Sequence, residues 1–522
     1  MANQLVEGSP LWNYVKWRPP EVNVNSLVSV NSAKTWLRQC DELHSACPRR
    51  DKAGLPRRVL DVEVTGTNDI RLYSGSGYDR YACLSYCWGK SNNCKTEKHN
   101  VDQHHKSIPL GSLPKTLRDA VAVTRKLNIR YLWVDSLCIV QDDDKEREEQ
   151  LGLMGRVYQN AYITISAACA TDASQGFLHR REARSRAGTK PFTVPCSLPE
   201  GGIGRTTLYQ RASESTKEPI HSRGWTLQED ILSSRVLFFG DVELSWKCDT
   251  CPQQISSIEG DRTLVHLRKE FSKQQQPSIN PTPMSSIERY DQQASWEHVM
   301  VEFSRRSLGR PSDKIPAIAG LAERVSRILP KDTKYLAGLW SSWLVEHLAW
   351  RMAKDATGTR HQEWRAPTWS WLSVDGLISL GSYDGFRSLE SDHESSSRFA
   401  LNVEGLADVL SYDVVPQSLS QPFGRLERGA SIQIRGFCFQ DNSEVTVILD
   451  TPLRTSDEDK NQSFWCLILI STTWPSMVYG PGPFYCGLVL RPSQENLDGY
   501  ERVGWFRTQK CRSCIEGTVK IY

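Results

Sequence analysis

The stretch Tyr81-Ala82-Cys83-Leu84-Ser85-Tyr86-Cys87-Trp88-Gly89 decides the fold that we expect for this chain. It begins as an apolar, β-prone run and ends in a turn that contains a glycine. Two later segments also join an apolar stretch or a glycine turn to clustered polar groups: Leu132-Trp133-Val134-Asp135-Ser136-Leu137-Cys138-Ile139-Val140-Gln141-Asp142 and Ser222-Arg223-Gly224-Trp225-Thr226-Leu227-Gln228-Glu229. Because an α/β fold commonly keeps its site at the ends of its strands, these segments predict both a fold class and a site.

Strand-like and helix-like patterns alternate from residue 81 to residue 240. The predicted strands are 81–86, 131–140, 162–168 and 235–239. Between them, helical spacing of apolar residues predicts helices over 117–127, 151–161 and 225–232. Thr116 and Asp119 resemble a capping box at the first of these helices. This alternation predicts a mostly parallel sheet flanked by helices, with 131–140 as a buried strand.

The length of 522 residues predicts more than one domain. We expect an N-terminal segment at 1–80, an α/β domain at 81–240, a helical, Trp-rich region at 241–385 and a small β-rich region at 400–522. Within the third region, helices are predicted over 315–329 and 335–350. The polar stretches 273–286 and 388–398 are typical of a linker and a disordered loop.

The 64 basic and 61 acidic residues leave a net charge of +3. This near balance gives no general attraction to nucleic acid or to an anionic membrane, so neither is expected as a partner. No apolar run approaches the roughly 18 residues that a membrane span needs. The N-terminus lacks the pattern of a signal peptide, so we expect the 15 cysteines to be mostly reduced, in a cytosolic or nuclear compartment. Of these two, we expect a cytoplasmic protein.

The three segments, in this order and spacing, resemble the fungal heterokaryon-incompatibility (HET) domain. The resemblance extends over most of residues 30–380, through further matching segments at Leu113 to Ala120, Met154 to Ala161, Ala317 to Ala322, Ala337 to Trp340 and Pro367 to Trp371. The resemblance implies a role in fungal non-self recognition, in which incompatible hyphal fusion triggers growth arrest or cell death.

A second resemblance concerns mechanism. The first strand, 81–86, looks like the first strand of Toll/interleukin-1 receptor (TIR) domains. Ser222-x-x-Trp225-x-x-x-Glu229 is similar to the TIR segment that carries a tryptophan and, four residues later, the catalytic glutamate of NAD-hydrolysing members. The residue after the tryptophan is Thr226 here, where TIR domains commonly have a cysteine. The resemblance implies a TIR-like HET domain in which Glu229 is the catalytic carboxylate.

A carboxylate beside the nicotinamide ribose could stabilise an oxocarbenium-like transition state, by analogy with glycoside hydrolysis. NAD would be a substrate, and no resident cofactor is expected. The residues predicted to line the NAD pocket are Tyr86, Trp88, Asp135, Gln141 and Trp225.

Structural interpretations of the same residues stay open. Glu229 could pair with Arg223 or Arg235 as an anchor, and Asp135 could tie loops together. No Walker A, Gly-x-Gly-x-x-Gly, His-Glu-x-x-His or Gly-x-Ser-x-Gly pattern is present. The alternative function is therefore a non-enzymatic module that assembles with itself or with a signalling partner.

Cysteine spacing gives a weaker signal. Cys40-x3-His44-x2-Cys47 offers metal-like ligands, but zinc needs a fourth ligand such as a distant cysteine, and the same spacing suits helix packing. Cys248-x2-Cys251 and Cys511-x2-Cys514 lie too far apart in sequence for an ordinary zinc ribbon. The sequence alone therefore predicts no metal.

Overall fold

The computed structural model divides the chain into two compact units, which we call unit 1 (Met1–Pro277) and unit 2 (Ser278–Tyr522). The structure describes residues 2–5, 21, 23–49, 53–89, 94–181, 192–198, 201–209, 218–251, 286–380, 402–440, 445–452, 464–473, 483–509 and 514–522. Of the predicted linker, 273–286, residues 273–285 lie outside these ranges and Ser286 begins a helix, whereas the predicted disordered loop, 388–398, lies wholly outside them.

Unit 1 contains strands and helices in alternation over much of residues 81–240, where the sequence predicts it. Its described strands are β1 Ala2–Leu5, β2 Ala53–Gly54, β3 Arg58–Asp61, β4 Arg71–Ser74, β5 Tyr78–Asp79, β6 Tyr81–Ser85, β7 Tyr131–Trp133, β8 Ile163–Ser166, β9 Phe192–Ser197, β10 Ile203–Tyr209, β11 Arg235–Phe239 and β12 Leu244–Cys248. Its described helices are α1 Leu27–Leu43, α2 Val101–Lys106, α3 Lys115–Lys126, α4 Asp135–Cys138, α5 Asp144–Asn160 and α6 Thr226–Leu232. Short 3-10 turns cover Leu110–Ser112 and Pro219–Ser222.

Seven of these strands form one sheet in the order β12-β11-β8-β6-β7-β3-β4. The four central strands are parallel, because β6 pairs in parallel with both β7 and β8, and β8 with β11. The edge strands β12, β3 and β4 pair antiparallel. The prediction of a mostly parallel sheet is therefore right only for the centre, since short hairpins add antiparallel strands at both edges.

Every residue of β6, β7, β8 and β11 is buried. A parallel strand covered on both faces needs such a continuous apolar run, which is why these strands were readable in the sequence. They share one core cluster with the buried face of α3, including Leu117, Ala120 and Val121.

The predicted strand over 131–140 is wrong beyond Trp133. The chain leaves the sheet after β7, and α4 begins at Asp135. The carboxylate of Asp135 accepts a hydrogen bond of 2.7 Å from the backbone N–H of Ser136, which favours a turn at this point. Apolar residues continue to Val140 because the short helix is also buried, so hydrophobicity alone could not separate the two elements.

The predicted capping box of α3 does not form. Pro114 is the N-cap and makes no side-chain cap. The carboxylate of Asp119 instead accepts the backbone N–H groups of Phe177 and Leu178, at 2.8 and 3.1 Å. Asp119, which the local pattern predicted to cap the helix, therefore binds a distant loop instead.

Unit 2 combines short helices and small hairpins with a larger β-sheet. Its described helices are α7 Ser286–Ser304, α8 Pro316–Ser326 and α9 Leu344–Leu348, with 3-10 turns at Pro311–Asp313, Ser341–Trp343 and Trp371–Ser373. Its described two-residue strands are β13 Tyr335–Leu336, β14 Leu339–Trp340, β15 Arg351–Met352, β16 Thr359–Arg360, β17 Val374–Asp375 and β18 Ile378–Ser379.

The helix predicted over 335–350 is mostly wrong. Residues 335–340 form a hairpin, and only α9 is α-helical. Ala337 and Gly338 have φ values of 49° and 91°, which make a tight turn that a helix interior does not allow. The carbonyl of Gly338 accepts the indole N–H groups of Trp296 and Trp371, both at 3.0 Å, so the buried tryptophans hold this turn.

The predicted β-rich region is confirmed. Eight described strands form a mostly antiparallel sheet: β19 Asn402–Gly405, β20 Asp408–Asp413, β21 Ser431–Gln440, β22 Thr446–Leu449, β23 Trp465–Thr473, β24 Phe484–Pro492, β25 Tyr500–Thr508 and β26 Ile515–Ile521. Its core cluster contains Phe439, Cys466, Ile468, Val489 and Phe506.

A fully buried ion pair lies beside this sheet. Arg502 of β25 donates two hydrogen bonds to Asp450, at 3.0 and 3.1 Å, and both side chains are 0% exposed. Arg502 also donates to the carbonyl of Leu348 at 2.7 Å, and its guanidinium lies 3.4 Å from the ring centre of Trp350. One side chain thus joins the sheet to the segment around α9.

No helix in the described ranges is long and apolar enough to cross a membrane.

Replacing Arg502 with methionine should lower the local stability of unit 2 by about 3–5 kcal/mol, because Asp450 would keep a buried charge without its main partner. Hydrogen exchange of peptides from β25 and α9 measures this loss of local stability. Arg491→Met is the matched control on the preceding strand: Arg491 is 30% exposed and pairs with Glu501 at 3.0 Å. It should cost about 0–1 kcal/mol. Equal effects of both variants would contradict the special role of Arg502.

Candidate functional site

The candidate site lies at the carboxyl end of β6. Ser85 is the last residue of this strand and pairs with Ser166 at the end of β8. From β6 the chain passes to β7 on one side, and then crosses back to β8 on the other side. The connections therefore change direction between β6 and β8. In open α/β sheets such a switch point leaves a crevice at the carboxyl ends of the strands, where ligands bind.

Glu229 reaches this edge from α6. Its side chain is 3% exposed, and one carboxylate oxygen accepts a hydrogen bond from the hydroxyl of Ser85. Trp225 directly precedes the helix, and its carbonyl accepts the backbone N–H of Glu229 at 3.4 Å. The two predicted residues are thus one helical turn apart, as their spacing indicates. Trp225 is partly buried and packs against the main core.

Burial raises the pKa of Glu229 to about 7. The nearby charge of Asp135 adds to the increase, whereas Arg223 and the Ser85 hydroxyl favour the ionised form and oppose it. Protonated and ionised Glu229 are therefore both populated near neutral pH. Groups that titrate near the working pH are typical of catalytic acids and bases.

Asp135 and Trp88, two of the residues predicted to line the pocket, are in direct contact. The indole N–H of Trp88 donates to a carboxylate oxygen of Asp135 at 2.9 Å. Burial raises the pKa of Asp135, although Arg223 and this indole bond oppose the increase. This hydrogen bond thus joins the segment that follows β6 to the segment that follows β7.

Tyr86 lies in the same cluster. Its hydroxyl donates to the hydroxyl of Ser136 at 3.0 Å, and its backbone carbonyl accepts from the guanidinium of Arg223. Arg223 is thus held next to two acids, the buried Glu229 and the half-buried Asp135, whose ionised forms it favours. The alternative partner, Arg235, is directed elsewhere, to Cys40 and Asp41.

Gln141 positions the backbone. Its side-chain nitrogen donates to the carbonyls of Asp135 and Ile139, at 3.0 and 3.1 Å. Its own backbone N–H donates to Thr96 at 2.8 Å. These bonds fix the turn that follows α4 and hold Asp135 in place. Contact of Gln141 with a ligand stays a prediction.

The neighbour of Glu229 has unsatisfied polar atoms. Gln228 is 0% exposed, and neither atom of its amide has a hydrogen-bond partner in the described part of the chain. A buried amide without partners is costly, and in a native site such a group calls for a specific explanation such as a ligand or an ordered water.

The segment that carries this site matches a known protein family. The family model described as heterokaryon incompatibility protein (HET) matches residues 81–229. Residues 81–229 form a HET domain. A curated relative from Neurospora crassa, heterokaryon incompatibility protein 6 (OR allele), is 33% identical over 122 residues. This alignment covers 21% of the present chain and only 18% of the relative's length. No solved structure matches the chain.

The HET domain begins with β6 and ends at Glu229, so it contains all six predicted site residues. It does not contain the whole sheet. Strands β3, β4, β11 and β12 lie outside the matched residues but pair into the same sheet. The flanking chain therefore completes the fold that holds the HET domain.

Several contacts of the site have no signal in the local sequence. In the sequence, Ser85 is marked only by its position near the end of the predicted strand 81–86, and Tyr158 only by its position in the predicted helix 151–161. The structure joins Ser85 to Glu229 across 144 residues and places the Tyr158 hydroxyl 3.0 Å from the carbonyl of Leu84. A polar residue closing an otherwise apolar strand was the signal for Ser85. Tyr158 has no such local signal, because the acceptor of its hydroxyl hydrogen bond, the carbonyl of Leu84, belongs to a distant strand.

Gly89 should tolerate substitution poorly. It has a φ of +67°, and an added Cβ would lie 1.8 Å from the carboxylate oxygen of Asp172. Gly66 is the matched control, since its φ is +81° but nothing lies within 4 Å of its Cβ position. Gly66→Ala should cost about 1 kcal/mol through its backbone angle alone. Gly89→Ala should cost about 1–3 kcal/mol more through the clash. Urea unfolding measures the free-energy cost of both substitutions, and equal costs would mean that the contact with Asp172 does not restrict position 89.

Glu229 should make stability depend on pH in a defined direction. Its pKa is higher in the folded chain than the usual 4.5, so the folded state binds the proton more tightly. The free energy of unfolding should therefore fall as pH rises from about 4.5 to about 7, by about 3 kcal/mol from this group, and stay level above. Glu229→Gln should remove that fall, because the amide does not titrate.

Unfolding curves of wild type and Glu229→Gln at pH 5 and pH 8 (roughly two units below and one above the pKa of about 7) test this prediction. Glu149→Gln is the control, since Glu149 lies on α5 with its side chain 51% exposed. If wild type and Glu229→Gln lose stability equally between the two pH values, Glu229 does not hold its proton in the folded state.

Proposed function

We propose that this chain is a heterokaryon-incompatibility-type protein of fungal non-self recognition and cell-death signalling, and that its HET domain acts by hydrolysing NAD. The name of the Neurospora relative and the family description support the first part. The observation that carries the second part is the position of Glu229, a carboxyl group with a pKa of about 7 at the switch point of a parallel sheet.

The strand order of the four parallel strands supports a TIR-like arrangement. In chain order β6, β7, β8 and β11 are the first to the fourth, and in the sheet they lie in the order second, first, third, fourth. This is the order of flavodoxin-like doubly wound folds, which bind their ligand between the first and third strands. Ser85 and Ser166 close those two strands here.

In the proposed reaction, water replaces nicotinamide at the ribose carbon of NAD, giving nicotinamide, ADP-ribose and a proton. The bond between the ribose carbon and the nicotinamide nitrogen breaks, and its electron pair leaves with nicotinamide. Ionised Glu229 would stabilise the positive charge that develops on the ribose. Tyr86, Trp88 and Trp225 would supply aromatic surface for the ring systems, and Asp135 and Gln141 would fix the polar edge.

Nicotinamide release by the purified full chain tests this proposal. Glu229→Gln should lower the rate by roughly 100-fold or more, since it removes the charge that the transition state needs. Glu149→Gln, at an exposed position of α5, should leave the rate unchanged. The wild-type rate should rise with pH through a midpoint of about 7, as Glu229 ionises.

A rate that is the same in wild type and Glu229→Gln would overturn the assignment of Glu229. Measurements should span a wide range of protein concentrations, because a rate per molecule that rises with concentration reveals activation by self-assembly.

The alternative function is a non-enzymatic assembly module of the same pathway. The observation that favours it is that Glu229 is almost fully buried and already hydrogen-bonded to Ser85, as a structural carboxyl would be. Light scattering separates the two. A folded wild type that forms oligomers or binds a signalling protein, but releases no nicotinamide at any concentration, would support assembly alone.

A further inference from the structure

Three cysteines and one histidine of unit 1 converge on a common point. The side-chain ligand atoms of Cys40, His44, Cys47 and Cys248 all lie within 4.8 Å of one another. Cys40 lies in the last turn of α1, His44 caps that helix, and Cys47 follows in the next turn. Cys248 is the last residue of β12. The fourth ligand that the spacing of the first three residues lacks is thus supplied by a strand about 200 positions later.

The distances fit tetrahedral coordination. Zinc binds thiolate sulfur at about 2.3 Å and imidazole nitrogen at about 2.05 Å, so a bound nitrogen and sulfur lie about 3.6 Å apart. Here Nδ1 of His44 lies 3.4 Å from Sγ of Cys248 and 3.9 Å from Sγ of Cys47. A single ion could therefore bind these atoms with little movement of the backbone.

The surroundings favour thiolates. Arg235 is 0% exposed, and its Nε donates to Sγ of Cys40 at 3.1 Å. The backbone N–H of Cys251 donates to Sγ of Cys248 at 3.3 Å. Three thiolates around a divalent cation leave one net negative charge, and the buried guanidinium lies where it offsets that charge. Outer hydrogen bonds of this kind hold metal ligands in place.

Ordinary packing explains the cluster less well. All three cysteines are free and nearly fully buried, at 1%, 4% and 0% exposure. All three belong to the main core cluster, but a cysteine that only fills space there needs no polar partner. These sulfurs lie within 4.8 Å of one another and contact an imidazole, a guanidinium and the hydroxyl of Thr250. The other possible ligand set, Cys248 and Cys251 with Cys511 and Cys514, is not supported. Cys514 is disulfide-bonded, and Cys511 lies outside the described residues.

We propose that Cys40, His44, Cys47 and Cys248 bind one zinc ion as a structural site of unit 1. Soft thiolate ligands with one imidazole favour zinc over magnesium or calcium. Four protein ligands leave no open position for water, so the ion is structural and not catalytic. It would fasten the end of α1 to β12, the edge strand next to β11. Trp36 of α1 and Trp246 of β12 also join these two elements, with ring centres 6.3 Å apart.

Elemental analysis of the full chain, purified with reductant and without chelator, tests the site. We expect about one zinc per wild-type chain. His44→Ala and Cys47→Ser should each lower the bound zinc at least tenfold. Cys83→Ser is the matched control: Cys83 is 0% exposed in the same unit but lies in β6, outside the cluster, and this variant should keep its zinc.

Cobalt gives a second measurement that does not depend on how the variants fold. Wild-type protein stripped of metal and reloaded with Co²⁺ should show the visible absorption of tetrahedral cobalt with thiolate ligands.

Thermal unfolding gives a third measurement. Removal of the metal should lower the melting temperature of wild type but not that of His44→Ala.

Three results would overturn the proposal: wild type without metal and without the cobalt spectrum, full zinc content in the ligand variants, or a disulfide between two of these cysteines in fresh protein. None of these measurements depends on NAD turnover, so the zinc site and the proposed enzymatic function can fail separately.

Discussion

The parallel pairing of β6 with β7 on one side and with β8 on the other is the constraint on which the rest of unit 1 depends. A parallel strand in the middle of a sheet is buried on both faces, so its residues must be apolar and its polar groups can appear only at its ends. Ser85 is such an end. The helices that connect the parallel strands must cross the sheet, and those crossings bring Asp135, Arg223 and Glu229 to the same edge.

This arrangement collects buried charge, which is costly unless it is paired. Unit 1 meets that cost with specific partners: Arg58 with Glu146, Arg130 with Asp61, and Arg235 with Asp41. The arginines lower the pKa of Glu146 and Asp61 in spite of burial, whereas burial raises the pKa of Glu229 and Arg223 only partly opposes the increase. Glu229 and Asp135 thus carry an electrostatic cost that the paired acids avoid, which is a pattern typical of functional sites.

Patterns within one element were predictable from the sequence. Strands β6, β8 and β11 were readable because each is a short apolar run, and the one-turn spacing of Trp225 and Glu229 followed from the helix period. Predictions failed where a distant residue decided the local structure. The hairpin at 335–340 depends on indole bonds from Trp296 and Trp371 to Gly338, and Asp119 leaves its helix end to bind the loop at 177–178.

The sequence by itself determined the order of the elements, the HET resemblance and the candidate acids, because periodicity and motif spacing are local properties of the chain. Only the tertiary structure decided which of these residues meet. Ser85 with Glu229, Trp88 with Asp135, and Cys248 with Cys40, His44 and Cys47 are contacts between segments about 50 to 200 residues apart. Nothing in local spacing encodes such contacts, because they arise when strand order and helix crossings bring remote segments together.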